Sequence, residues 1–240
     1  MRWRLLYRDL GRMSYQEALT IQRQRFDELL AAKQIAKENP AMTEGGCAGT
    51  IFTVEHPAVY TLGKNGDAGN LLVDENFLRS TGAEFYRTDR GGDITFHGEG
   101  QIVCYPVLDL ERIGIGLREY IELLERAVIE TLDGYGIASE RSEGASGVWL
   151  RKGSNMAQKD FLVKICAIGV RASRYITMHG FALNVTTDLS RFMLINPCGF
   201  SDRGVTSLER ELGYAPPMDE VKKRVVTRLA ELLDAELSDI

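Results

Sequence analysis

The chain has 240 residues, a formal net charge of −5, and 44% hydrophobic and 26% charged residues. These values suit a globular protein whose core needs no disulfide or metal staples. The acidic balance excludes a global positive field for holding nucleic acid, and no run approaches the ~20 apolar residues of a membrane span.

The N-terminal MRWRLLYRDL lacks the pattern of a signal peptide, so a cytoplasmic protein with no membrane partner is expected. Cysteines stand at 47, 104, 166 and 198 with no CxxC spacing, and histidines 56, 97 and 179 form no i, i+4 pair. Free thiols are therefore expected, with no metal site and no cofactor.

Ser14-Tyr15-Gln16-Glu17 reads as a capping box, and apolar positions 15, 18, 26, 29 and 30 follow at helical spacing. A helix is predicted from about residue 15 to the mid-30s, then a polar loop over 37–46. Strands are predicted over 50–54, 59–62 and 85–88, the first broken by His56-Pro57. The glycine-rich RGGDITFHGEGQ (90–101) follows, then a buried strand over 102–108. Apolar residues at 117, 120, 121, 124, 127, 128 and 132 give an amphipathic helix. Trp149, 163–170, 175–179 and 181–185 read as strand material. Thr206-Ser207-Leu208-Glu209 predicts a short capped helix, and 218–237 a final one. The element order points to an α/β or α+β fold with a mixed sheet flanked by helices.

Four segments carry chemistry. In 90–101, glycines permit positive φ and close approach of backbone to a ligand, around Arg90, Thr95 and His97. The segment opens no helix, so it is neither a P-loop nor a dinucleotide fingerprint, and a flexible hairpin is the bland reading. In 163–169, strict alternation puts Lys164, Cys166, Ile168 and Val170 on one strand face. Desolvation there would lower the lysine pKa, although a solvent-facing edge lysine fits the isolated pattern better. In Ile195-Asn196-Pro197-Cys198-Gly199, Pro197 and Gly199 frame a sharp turn that would present Cys198, a nucleophile once a nearby cation lowers its pKa. His179-Gly180 reads equally as a binding loop or as a satisfied buried histidine.

In order along the chain, RGGDITFHGEGQ, KICAIGVR, MHGFALNV and INPCGF closely resemble lipoyl(octanoyl) transferases, the octanoyl-acyl-carrier-protein:protein octanoyltransferases. The likeness runs from EHPAVYTLG at Glu55 to GVTSL at Leu208, about two-thirds of the chain. It implies a biotin/lipoate protein ligase-like fold, here as a single catalytic domain over 1–240. It implies an acyl-thioester on Cys198, with Lys164 lowering the thiol pKa. It further implies an acyl pocket lined by Arg90, Gly91, Gly92, Asp93, Ile94, Thr95, Phe96, His97, Ala167, Ile168, Gly169, Gly180, Phe181 and Ala182.

The implied donor is octanoyl-acyl-carrier protein. The implied acceptors are lipoyl domains of 2-oxoacid dehydrogenase complexes and the glycine cleavage H protein. Acidic partners require a local basic patch, for which Arg171, Arg174 and Lys64 are candidates. Two departures stand out: Glu99 replaces the usual proline of HGPGQ, and 152–162 reads as an insertion. The rival readings are an ATP-dependent lipoate or biotinyl ligase, which needs no cysteine, and a non-catalytic acyl-binding protein.

Overall fold

The computed structural model describes residues 3–38, 46–153, 161–196 and 204–239. The central sheet is built from β1 (Trp3–Arg12), β2 (Cys47–Glu55), β6 (Gln101–Leu108), β7 (Glu140–Ser142), β8 (Ala145–Lys152), β9 (Phe161–Ser173), β10 (Ile176–Asn184), β11 (Gly204–Val205) and β12 (Ala235–Asp239). Its order is β12-β1-β2-β6-β10-β9-β8-β7, with β11 added to β9. The pairs β1–β12, β1–β2 and β9–β11 are parallel and the rest antiparallel. A second, three-stranded sheet orders β4 (Glu84–Arg87), β3 (Val59–Leu62) and β5 (Ile94–His97).

Helices cover both faces of the large sheet, which explains why its middle strands are apolar on both sides. Every residue of β6 is buried. Its Val103, Tyr105 and Val107 pack with Tyr15, Ala18, Phe26 and Leu29 of α1 (Tyr15–Glu38). Its Ile102 and Cys104 pack on the other side with Tyr120, Leu124 and Val128 of α4 (Leu117–Asp133), and with Val221, Val225 and Leu229 of α6 (Met218–Leu232). A smaller core joins Tyr60, Leu62, Ile94 and Phe96 of the second sheet to Leu78 of α2 (Glu75–Ser80), and to Phe192 in the 3-10 stretch Leu189–Leu194. Two short helices complete the set, α3 (Leu110–Ile113) and α5 (Leu208–Leu212).

The first capping box forms as read: Ser14 Oγ accepts from Glu17 N, and Glu17 Oε2 accepts from Ser14 N. The second shifts by one residue, because Ser207 rather than Thr206 accepts from the helix, at Arg210 N. Thr206 instead donates its N–H to Lys164 O, 2.9 Å away, as part of the sheet. The last helix ends at Leu232, five residues earlier than expected. Asp234 at φ +48 turns the chain, and 235–239 leaves the helix to pair with β1. The predicted strand stretches 175–179 and 181–185 are one strand, β10. No helix among the described residues is long and apolar enough to cross a membrane.

Candidate active site

A cleft of ≈ 750 Å³, counted to its open mouth, lies between the second sheet and strands β9 and β10. Its floor is made of small residues for a geometric reason. Ala167 pairs with Ala182 and Gly169 with Gly180 across β9 and β10. A Cβ on Gly169 would lie 2.8 Å from Gly91 O, and one on Gly180 2.1 Å from Cys104 O. The glycine-rich loop therefore rests directly on the sheet, and Gly91 N donates to Val170 O at 2.9 Å.

Lys164 lines this cleft, although strict strand alternation would put it on the face of Cys166. The pairing of β8 with β9 slips by one residue between Val148↔Cys166 and Trp149↔Lys164, leaving Ile165 as an extra residue. The bulge sends Val163, Ile165 and Cys166 into the core under α4 and α6, while Lys164 joins Ala167 and Gly169 in the cleft. The expectation of a shared Lys164–Cys166 face is thus corrected. The lysine is 6% exposed, and its Nζ lies 4.4 Å from the centre of the Trp149 ring. Such a ring face favours a cation where water has been excluded.

Arg90 laces the glycine-rich loop to β3. Its guanidinium donates to Thr61 O (2.6 Å), Thr61 Oγ1 (2.9 Å), Asp93 O (2.8 Å) and Gly91 O (3.0 Å). Thr61 Oγ1 accepts from Arg90, so its own proton points to His97 Nε2, a long contact at 3.4 Å. His97 Nδ1–H then donates to Gln101 Oε1 at 2.8 Å. Gln101 Nε2 donates to Asn184 Oδ1, and Asn184 Nδ2 to Thr206 O, beside Lys164. One chain of hydrogen bonds thereby connects the glycine-rich loop to the strand that carries the lysine. Burial pushes His97 down to about 3, helped by the nearby His56. His56 is itself held down to about 4 by burial, against a hydrogen bond to Met13 O.

His179 follows the reading of a satisfied buried histidine and not that of a loop, since His179-Gly180 lies inside β10. It is buried, lines the cleft, and hydrogen-bonds through Nε2 to Asp89 Oδ1 at 2.9 Å. Its backbone sits at φ +60, a costly position for a residue with a Cβ, and Gln22 Oε1 accepts from its N–H. That hydrogen bond from His179, together with the charge of Arg171, holds Asp89 down to about 2.

Twelve of the fourteen expected pocket residues line the cleft; Gly91 and Phe96 do not. Gly91 is occupied with the sheet, and Phe96 packs into the second core against Tyr60 and Phe192. Further lining comes from Tyr15, Gln101, Val103, Tyr105, Asn184, Phe192 and Val205. Gln101 and Asn184 stood inside motifs already singled out. Tyr15 had no local signal, because it arrives from α1 only when the chain folds.

Arg171 is no free cation for a partner, since it pairs with Asp89 at 2.5 Å and stacks over Phe26. Arg174 and Lys64 are exposed. Glu99 pairs with Arg12, and its turn is firm: Gly100 at φ +77 accepts from Val185 N, Thr186 N and Thr187 Oγ1. Cys198 lies outside the described residues, as does 154–160 of the insertion.

The model of the lipoyl protein ligase A/B catalytic domain matches residues 15–230. An octanoyltransferase of Bacteroides fragilis is 51% identical over 224 residues, covering 93% of this chain and 94% of that one. An octanoyltransferase of Flavobacterium johnsoniae is 46% identical over 238 residues, covering 99% and 100%. Among solved structures, the bipartite lipoate protein ligase of Thermoplasma acidophilum, described with its E2 lipoyl domain, superposes with a TM-score of 0.68. It is 17% identical, with 100% of this chain and 87% of that one covered, a likeness of fold alone. On the family match and these two relatives, the chain belongs to the lipoyl protein ligase A/B catalytic family.

Proposed function

We propose that this octanoyltransferase works by a two-step exchange in which Cys198 carries the acyl group and Lys164 handles the protons. The observation that carries the reading is a buried lysine at a cleft floored by Ala167, Gly169, Gly180 and Ala182. Of the residues that flank 197–203, Val205 lines that cleft. Asn196 N donates to Asn70 O, while Gly204 and Val205 pair with Val163 and Lys164.

In the first step the Cys198 thiolate attacks the thioester carbonyl of octanoyl-acyl-carrier protein. The carrier thiolate leaves and takes up the proton that Lys164 removed from the cysteine. In the second step the side-chain amine of an acceptor lysine attacks the octanoyl-enzyme. Lys164 takes the amine proton, the Cys198 thiolate departs, and a stable amide remains. Lipoyl domains of 2-oxoacid dehydrogenase complexes and the glycine cleavage H protein are the acceptors in this reading. The donor is already a thioester, so neither ATP nor a cofactor enters.

The small-residue floor suits a linear chain, at about 0.8 kcal/mol for each methylene buried. Thr95, Ile94 and Phe181 complete the walls of that slot, and the Arg90–Thr61–His97–Gln101–Asn184 chain keeps them in register. The octanoyltransferase relatives support this substrate.

The test is intact-protein mass spectrometry after mixing with octanoyl-acyl-carrier protein, without ATP or acceptor. The wild type is expected to gain one octanoyl group and Cys198→Ser none. An adduct on both proteins, or transfer that needs ATP and free fatty acid, would overturn the mechanism.

A further inference from the structure

Glu125 lies on the sheet-facing side of α4, between residues of the main core, and only 6% of it is exposed. A buried carboxylate on an apolar helix face costs free energy unless it is bound. Its two oxygens are committed: Oε1 accepts from Gly147 N at 3.0 Å, and Oε2 faces Arg141 Nε at 3.2 Å. Burial still pushes its pKa up.

Gly147 is the residue where β8 deforms. It sits at φ +127, and a Cβ there would lie 2.6 Å from Cys166 O and 3.5 Å from Lys164 Cε. The pairing slip that turns Lys164 into the cleft begins at the next residue, Val148. Trp149, whose ring underlies the ammonium, follows directly. The carboxylate therefore holds the backbone against which the lysine stem lies.

We infer that Glu125 is a positioning residue for Lys164, fixing the β8 deformation that aims the lysine into the cleft. The inference rests on the proton-handling role proposed above for Lys164. It requires an acceptor oxygen at position 125 rather than a charge, so glutamine should serve and leucine should not.

The experiment measures the single-turnover rate of octanoyl-enzyme formation in Glu125→Gln, Glu125→Leu and Lys164→Ala, and in the double variant of leucine and alanine. Glu125→Gln is expected within about threefold of the wild type. Glu125→Leu is expected to be slower by about tenfold or more at unchanged KM for the donor. In the Lys164→Ala background, Glu125→Leu should cost nothing further, because the group it positions is gone. Circular dichroism checks folding, and Glu125→Ala replaces the leucine variant if that one does not fold.

Equal rates for Gln and Leu, or the same loss with and without Lys164, would overturn the positioning role and leave the lysine's own role standing. A Lys164→Ala enzyme as fast as the wild type would instead remove the reading on which the inference rests.

Discussion

Gly180 and Gly82 separate two reasons for a glycine. At Gly180 a Cβ would meet Cys104 O at 2.1 Å and Pro106 Cδ at 2.7 Å, both in the middle of the central sheet. Neither atom can retreat, so Gly180→Ala should lose roughly 3 kcal/mol in urea unfolding. Gly82 has φ +75 but nothing within 4 Å of its would-be Cβ, so Gly82→Ala should cost only about 1 kcal/mol of backbone strain. A midpoint equal for the two variants would contradict the packing account of the cleft floor.

Asp89 is the other informative residue. Its folded pKa of about 2 lies below its ordinary 3.8, chiefly through the hydrogen bond from His179. A lowered carboxylate pKa stabilises above the unfolded value, and that stabilisation fades as the pH falls from about 4 towards 2. Asp89→Asn should flatten the pH dependence of the unfolding midpoint in that window. It should also loosen the left-handed turn at His179, read as faster amide exchange there.

Among the elements, α1 is tied to the sheet by more than its apolar stripe. Lys33 Nζ binds Asp109 Oδ1 at 2.9 Å and Arg174 O at 2.9 Å, and Asp109 is itself nearly inaccessible while capping α3. Lys33→Met would leave the buried Asp109 carboxylate with only the more distant Arg112 Nε at 3.6 Å, so a loss of about 2 kcal/mol is expected, with fast amide exchange in the last turns of α1. Lys33→Arg should recover part of it.

The elements also show which signals sequence carries. Helix 15–38, with a cap and a stripe, and helix 117–133, with a stripe alone, were legible because these signals are local. Strands β1 and β12 were not. Of β1 only Leu5 is buried, so its alternation is lost among Arg4, Arg8 and Arg12, and β12 continues the helical composition that precedes it. Their strand character comes from pairing with each other and with β2, partners far away in sequence.

For the whole molecule, acid should be the sensitive axis. His56 and His97 are buried and neutral, with folded pKa values of about 4 and about 3. The unfolded chain binds protons at these groups near pH 6.5 and the folded chain does not. Their contribution is therefore intact above pH 6.5 and is lost as the pH falls towards 4. His56 alone accounts for a loss on the order of 3 kcal/mol across that window. Urea midpoints at pH 7.5, 5.5 and 4.5 measure it, and His56→Gln should show a shallower decline than the wild type.

Fold class, most helices and the ordered set of motifs were readable from the chain alone, because capping, periodicity and glycine placement act over a few neighbouring residues. Lys164 could be singled out in the same way. Its direction could not, since that depends on a one-residue slip against β8 held from α4. Nor could the roles of Tyr15, Asn184 and Arg171 be read. What each side chain faces is decided by long-range pairing, and the free energy that selects among faces comes from burial and hydrogen bonds made only in the assembled sheet.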